Sequence, residues 1–463
     1  MFNLNADEAL NRLSEPKGPH EVASDKYSPF VEKLLELLVV EGSVVGCNKS
    51  LTALVDINAT WAAEELIPNS IRASQGIFFT GDKIAEKIAR SLSVDISKCS
   101  SFFDPSCGAG NLLLAIAKSY PLKGNVLDTL KVWGLKFGGC DLNESFVLAT
   151  KLRLIALAFQ RHGLYRVPKD ELEGYLNLFK MFEVGDYLES NLGSDFDCIV
   201  ANPPFGHIVV PEGLEWSSGR TQQAGVFIAK ILDIAKTCQK LTAVLPDVLR
   251  SGTRYEKWRR RIENQTSILS LDVHGRFSKS VDVDVFILSL MRDFKADNPL
   301  ISEKWQPAKT KLSSKCVKLS TFFEVRVGPV VPHRLLGAGV SAPYLTAHNS
   351  PAFSVVAKLP KINFNGTLYA PPFVVVRRTS SPSDKFRLVP SLVKGNKLVA
   401  VENHLLILKP RDGSLEKCLL LMEELRTQKI NDWVNAVSRC RHLTTKTLAD
   451  IDIVRDRYDQ CSL

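Results

Sequence analysis

Through residues 71–297, short apolar runs that stop at a polar or acidic residue alternate with longer stretches of helical periodicity. The runs Phe102-Phe103-Asp104, Lys136 to Leu142, Phe182 to Tyr187, Phe196 to Ala201 and Lys240 to Pro246 predict buried strands. Between them, Leu112 to Ala117, Glu144 to about His162 and Ala224 to Thr237 predict helices, while 163–178 reads as a connection. Thr80 stands where a hydroxyl could N-cap a helix running to Leu92. Ile268 to Val273 and Val283 to Met291, joined by His274-Gly275-Arg276-Phe277-Ser278, predict an antiparallel hairpin. Upstream, Ala6 to Leu13 and Pro29 to Val40 space apolar residues as helices do, so 1–70 reads as a helical segment capping the region 71–297. Beyond Asp297 the pattern changes. Pro299 to Ser314 has linker character, 322–409 carries short β-like runs broken by Gly and Pro, and Ser414 to Gln428 predicts a helix.

The chain has 463 residues, long enough for two or three domains, with ordinary hydrophobic (45%) and charged (24%) content. We divide it into an N-terminal segment 1–70, a catalytic domain 71–297, a linker 298–314 and a basic domain 315–463. The net charge of +9 is unevenly placed: residues 301–463 hold 25 Lys+Arg against 13 Asp+Glu, and the remainder 34 against 37. A basic region joined to a nearly neutral one fits a grip on a polyanion, although a charge bias of this size also serves as a plain solvated surface. The helix Arg254 to Gln265, with Arg254, Lys257, Arg259, Arg260 and Arg261, poses the same choice. Without a signal peptide or a long apolar span, the expected compartment is the cytoplasm, with no membrane partner. Ten scattered cysteines form no Cys-x-x-Cys pair, and Cys440-Arg441-His442 lacks a second ligand pair, so neither a disulfide framework nor a metal site is predicted.

Two stretches carry the candidate chemistry. In Asn202-Pro203-Pro204-Phe205 an apolar run ends in an amide, two prolines and an aromatic ring. Proline cannot continue a central ladder, so this reads as a rigid loop at a sheet's end. The Asn202 side-chain oxygen and the Pro203 carbonyl can both accept from an exocyclic amine, and Phe205 offers a stacking face. By itself Asn-Pro-Pro is also a plain turn. The second stretch lies about a hundred residues earlier. There Asp104 ends a strand, and Gly108 and Gly110 allow close backbone approach to a ligand before an apolar helix.

Together these stretches resemble the S-adenosylmethionine-dependent N6-adenine DNA methyltransferases in which the cofactor motif precedes the catalytic one, the gamma arrangement of restriction-modification enzymes. The resemblance covers residues 70–293 with specific motifs and 315–450 more loosely. It implies an α/β fold: a Rossmann-like class I methyltransferase with a seven-stranded mixed sheet, N-terminal helices and a C-terminal α+β target-recognition domain. It gives Phe79 and Thr80 to the cofactor's methionine end, Asp141 to both ribose hydroxyls, Leu142 to the adenine and Asp186 to the adenine's amino group. Glycine follows Thr80 where the family most often has proline. Phe277, beside Phe205, packs against the flipped base in this reading. Arg326, Arg334, Arg377, Arg378 and Arg387 are candidates for phosphate or guanine edges of double-stranded DNA. A cognate restriction endonuclease or a specificity subunit is the implied protein partner. Related Asn-Pro-Pro-aromatic loops serve RNA and protein-glutamine methyltransferases. A DNA-binding modification subunit that needs a specificity partner is the remaining alternative.

Overall fold

The computed structural model describes residues 19–39, 59–164, 166–211, 213–293, 305, 316–334 and 339–460. The expected helix Ala6 to Leu13 and nearly all of the expected linker fall outside them. The described residues form two compact units divided at residue 299, except that Arg250–Thr253 belongs with the second.

The main sheet of the first unit has seven strands: β1 (Phe102–Asp104), β2 (Phe137–Asp141), β3 (Phe182–Val184), β4 (Cys198–Ala201), β5 (Lys240–Pro246), β6 (Thr266–Arg276) and β7 (Asp284–Arg292). They form one sheet in the order β3-β2-β1-β4-β5-β7-β6. β1 to β5 pair in parallel, and β7 runs antiparallel to both its neighbours. This is the expected Rossmann-like mixed sheet. Helices cover both faces of its parallel part, which is why β1 and β4 are apolar without alternation and buried throughout. The strand order reverses between β1 and β4, and a doubly wound sheet opens a crevice at its carboxyl edge at such a point.

The helix Glu144–His162 is buried on most of its sides, and the helix Pro19–Leu38 packs against it. Pro29 lies inside this second helix and does not begin it. Proline withholds the N–H that the Asp25 carbonyl would take, and the Ser28 hydroxyl donates to that carbonyl instead, at 2.7 Å. Thr80 is not an N-cap: the helix Asp82–Ser91 starts after Gly81, and Thr80 is buried. Lys169–Leu176 is a helix inside the stretch read as a connection. Pro168 ahead of Lys169-Asp170-Glu171 was its start signal, since proline and acidic residues favour a first turn.

In the second unit β8 (Phe323–Val327), β9 (Phe373–Arg377), β10 (Pro390–Val393) and β11 (Leu405–Pro410) form an antiparallel sheet in the order β8-β11-β9-β10. Alternate side chains of β9 enter two different cores. Val374 and Val376 meet Leu421 and Val434 of the helices Leu415–Glu424 and Gln428–Val437, while Phe373 and Val375 meet Leu345 and Val401. Arg387, one of the proposed DNA contacts, is wholly buried. Its guanidinium donates to the Ser380 and Cys440 carbonyls, both at 2.7 Å, which fixes loops and leaves it out of reach of a nucleic acid.

Candidate active site

A cavity of about 430 Å³ opens within the first unit at the carboxyl ends of β1, β2 and β4, a size ordinary for a small-molecule site. Asp104, Gly108, Asp141, Leu142 and Asp186 line it, as do Phe79, Thr80, Asn202 and Pro204. Pro203 is buried behind this lining, and Gly110 is packed under Thr150.

The cofactor-side loop is held from below. Gly108 has φ +50°, and a Cβ there would stand 2.7 Å from the Phe79 ring, so this backbone requires glycine. Its carbonyl accepts from the Thr150 hydroxyl at 2.8 Å. Arg153 donates from one nitrogen to the Ala109 carbonyl and to the Asn111 side-chain oxygen. The Asn111 amide in turn donates to the Thr80 carbonyl at 2.7 Å, joining the two cofactor-side stretches.

Asp141 is already heavily engaged. One oxygen accepts from the Asn143 backbone and side-chain nitrogens, each at 3.0 Å, and the other from the Gly108 N–H at 2.9 Å. A carboxylate has about four acceptor positions, so room remains for about one more hydrogen bond where two were expected. Asp186 caps the turn Tyr187–Glu189 by accepting from the Leu188 N–H and stands exposed at the cavity.

Burial pushes the Asp104 carboxyl up to about 8, opposed by the Ser106 N–H and reinforced by neighbouring Asp141. An unfolded aspartate titrates near pH ~4, so between those values the folded chain holds a proton that the unfolded chain has lost. Stability from this group is complete at the acid end and lost as pH rises through the folded value. Melting curves without ligand should therefore show a midpoint falling between about pH 5 and pH 8, and Asp104→Asn should flatten that fall. An unchanged slope in the variant would assign it to other groups.

On the catalytic side, the Asn202 amide nitrogen donates to the Phe78 carbonyl at 2.9 Å. That bond fixes the side-chain oxygen, which is buried and has no partner among the described residues. Phe205 meets Phe277 edge to face, with ring centroids 5.2 Å apart and planes at 80°. Phe277 is the expected neighbour of Phe205 and is itself buried in the core. Gly76, at φ +69°, ends the helix Asn69–Gln75, and a Cβ there would lie 2.7 Å from the Pro204 Cβ. Gly76→Ala should push on the catalytic loop from behind. The methyl transfer that the resemblance implies should fall about tenfold or more, with a loss of about 1 kcal/mol in chemical denaturation.

The arginines of the basic helix are already engaged, while its Lys257 is exposed. The helix spans Glu256–Gln265; Arg260 pairs with Glu256, Arg261 with Asp233, and Arg259 donates to the Leu249 carbonyl. Arg254 donates to the Ser218 and Arg220 carbonyls. In the second unit Arg326 is exposed and bonded to Glu324 at 2.7 Å, Arg377 donates to the Ser350 carbonyl at 3.0 Å, and Arg378 reaches the Asn403 carbonyl at 3.5 Å. Arg334 is exposed. The motifs alone missed Thr150 and Arg153, which hold the loop, and Gln223 and His20, which also line the cavity. Of these only Arg153 had left a signal, a charge inside the apolar run Leu152 to Ala158. Among the described residues no group of His, Cys, Asp and Glu is arranged to hold a metal ion, and no helix is long and apolar enough to cross a membrane.

Residues 68–296 match the family model described as N-6 DNA Methylase. Among solved structures the chain is similar to the type IIL restriction-modification enzyme MmeI, determined in complex with DNA, at 12% identity over 84% of this chain and 69% of that one, with a TM-score of 0.53. It is similar to a protein from Listeria monocytogenes provisionally described as a class I S-adenosylmethionine-dependent methyltransferase, at 16% identity over 60% of this chain and 91% of that one, TM-score 0.36. A third is the methyltransferase subunit of a type I restriction-modification system from Streptococcus thermophilus, at 15% identity over 54% and 51% of the two chains, TM-score 0.35. This chain thus spans about half the length of that subunit. None of the curated proteins matches the chain. At these identities the structural likeness speaks for the fold, and the family match speaks for the motifs. Residues 68–296, just under half of the chain, thus carry a likeness to the N-6 DNA methylase family.

Proposed function

We propose that the chain is a site-specific adenine-N6 DNA methyltransferase that takes its methyl group from S-adenosylmethionine and acts on an adenine turned out of the duplex. The observation that carries this reading is the buried, unpartnered Asn202 oxygen at the cavity. A buried acceptor left without a partner is unfavourable by about 1–3 kcal/mol, which the amino group of a base relieves.

The residues of the cavity fit the cofactor. Gly108 lines the cavity without a side chain, Asp141 and Asp186 supply carboxylates suited to the cofactor's hydroxyl and cationic groups, and Asp104 supplies a carboxyl that can donate or accept a hydrogen bond. When bound, S-adenosylmethionine supplies a methyl group already activated by its sulfonium, so the protein has no nucleophile to generate. Its residues align and stabilise. The Asn202 oxygen and the Pro203 carbonyl accept the two amine hydrogens and favour a pyramidal nitrogen as positive charge develops there. Phe205, its ring set by Phe277, offers a face to the extruded base. The amine proton is lost to solvent after transfer.

The second unit, with its basic excess, is the proposed target-recognition part, and Arg326, Arg334, Arg377 and Arg378 are its candidate contacts with double-stranded DNA. A cognate endonuclease or specificity subunit is the proposed protein partner, and the cytoplasm the proposed compartment. The test is transfer of labelled methyl from S-adenosylmethionine to unmethylated duplex DNA, followed by nucleoside digestion. Label in N6-methyladenine supports the reading. Label in cytosine, or label only in RNA or protein, overturns it.

A further inference from the structure

The helix Pro19–Leu38 precedes the segment that matches the family model, yet it contributes to the cavity. Residues 20, 24 and 27 share one of its faces. The Ser24 hydroxyl accepts from the Ser145 backbone N–H at 3.0 Å, and the Ser24 carbonyl accepts from the Ser145 hydroxyl at 2.8 Å. The Tyr27 ring meets the cavity-lining Phe79 and Phe146 edge-on, at 6.0 and 4.9 Å between centroids. With that face anchored, His20, one turn before Ser24, lines the cavity. Its Nδ1 is shut off from water and has no partner among the described residues. Burial pushes the Asp141 carboxyl up, and the hydrogen bonds from Asn143 and Gly108, then the nearby His20, oppose that rise.

Asp141 has room for about one more hydrogen bond, whereas a ribose presents two adjacent hydroxyls. We propose that His20 binds the second ribose hydroxyl of S-adenosylmethionine beside Asp141, which makes the N-terminal helix part of the cofactor site. The inference rests on the reading of the cavity as a site for that cofactor. A hydroxyl donates and accepts, so it satisfies a ring nitrogen in either tautomer. The pairing also gives the site a reason to discriminate against a deoxyribose, because a missing hydroxyl leaves a buried nitrogen unpaired.

The test is calorimetric titration of the full chain and its His20→Ala and His20→Gln variants with S-adenosylhomocysteine and its 2′-deoxy and 3′-deoxy analogues. His20→Ala should weaken S-adenosylhomocysteine about fivefold to tenfold, and His20→Gln should recover part of that loss. One deoxy analogue should bind the unaltered chain more weakly by a similar factor and be indifferent to His20→Ala. An unchanged affinity in His20→Ala, or an equal loss for the parent ligand and both analogues, overturns the proposal and leaves the proposed function standing. An unaltered chain that does not bind S-adenosylhomocysteine overturns both. Matching unfolding curves for the three proteins separate a lost contact from a lost fold.

Discussion

Asn202→Ala is expected to lower methyl transfer by at least about 10³-fold, with cofactor affinity kept within a few fold. The side chain acts at two places. Its nitrogen holds the Phe78 carbonyl, and its buried oxygen is the acceptor proposed for the target amine. Alanine removes the acceptor where charge develops, and no neighbouring group among the described residues is bonded to that oxygen to replace it. Asn202→Asp separates the two roles, because it keeps an acceptor but loses the donor to Phe78 and sets a carboxylate oxygen against a carbonyl. The asparagine-to-alanine loss should appear in kcat with KM for the cofactor nearly unchanged. Calorimetry in which cofactor binding disappears together with transfer would sink the division of labour between the two ends of the cavity.

Arg153→Leu should weaken S-adenosylhomocysteine at least about tenfold and lower the unfolding midpoint by roughly 5–10 °C. The guanidinium is buried beneath the cofactor loop, and burial pulls its pKa below the usual arginine range. Its partners, the Ala109 carbonyl and the Asn111 oxygen, would be left buried without a donor, a loss of about 2–4 kcal/mol. Because Asn111 also holds the Thr80 carbonyl, the effect should reach the opposite wall of the cavity. Scanning fluorimetry and calorimetry check the two parts separately. A lowered midpoint with unchanged affinity would make Arg153 a matter of folding alone.

The sheet and most of the candidate site were legible because apolar runs, acidic strand ends and proline-stopped loops are local signals. β5 and the helix Glu144–His162 begin and end where the apolar pattern places them. The proximity of Phe277 to Phe205 was also legible, since a hairpin closing the sheet returns its loop to the same edge. What failed was capping and charge. Thr80 has an N-cap's chemistry, but its carbonyl belongs to Asn111 and the helix begins after Gly81. Arg387 and the arginines of Glu256–Gln265 look cationic in sequence, and only the folded chain shows which carbonyls and carboxylates use their donors. The third wall of the cavity was illegible for a related reason. His20 lies more than a hundred residues from Asp141 in sequence, and nothing local records the serine pair that brings its helix there.

That serine pair has a bearing on how such enzymes are divided and recombined. Ser24 satisfies an amide in the first turn of the helix Glu144–His162, a task that Asn143 leaves undone. A graft cut at the family boundary, residue 68, would carry the sheet and every recognised motif into a new host. It would arrive with one helix start unsatisfied and the Phe79–Phe146 wall bare of Tyr27. For this chain the transferable catalytic module starts no later than the helix Pro19–Leu38, well upstream of where sequence recognition begins.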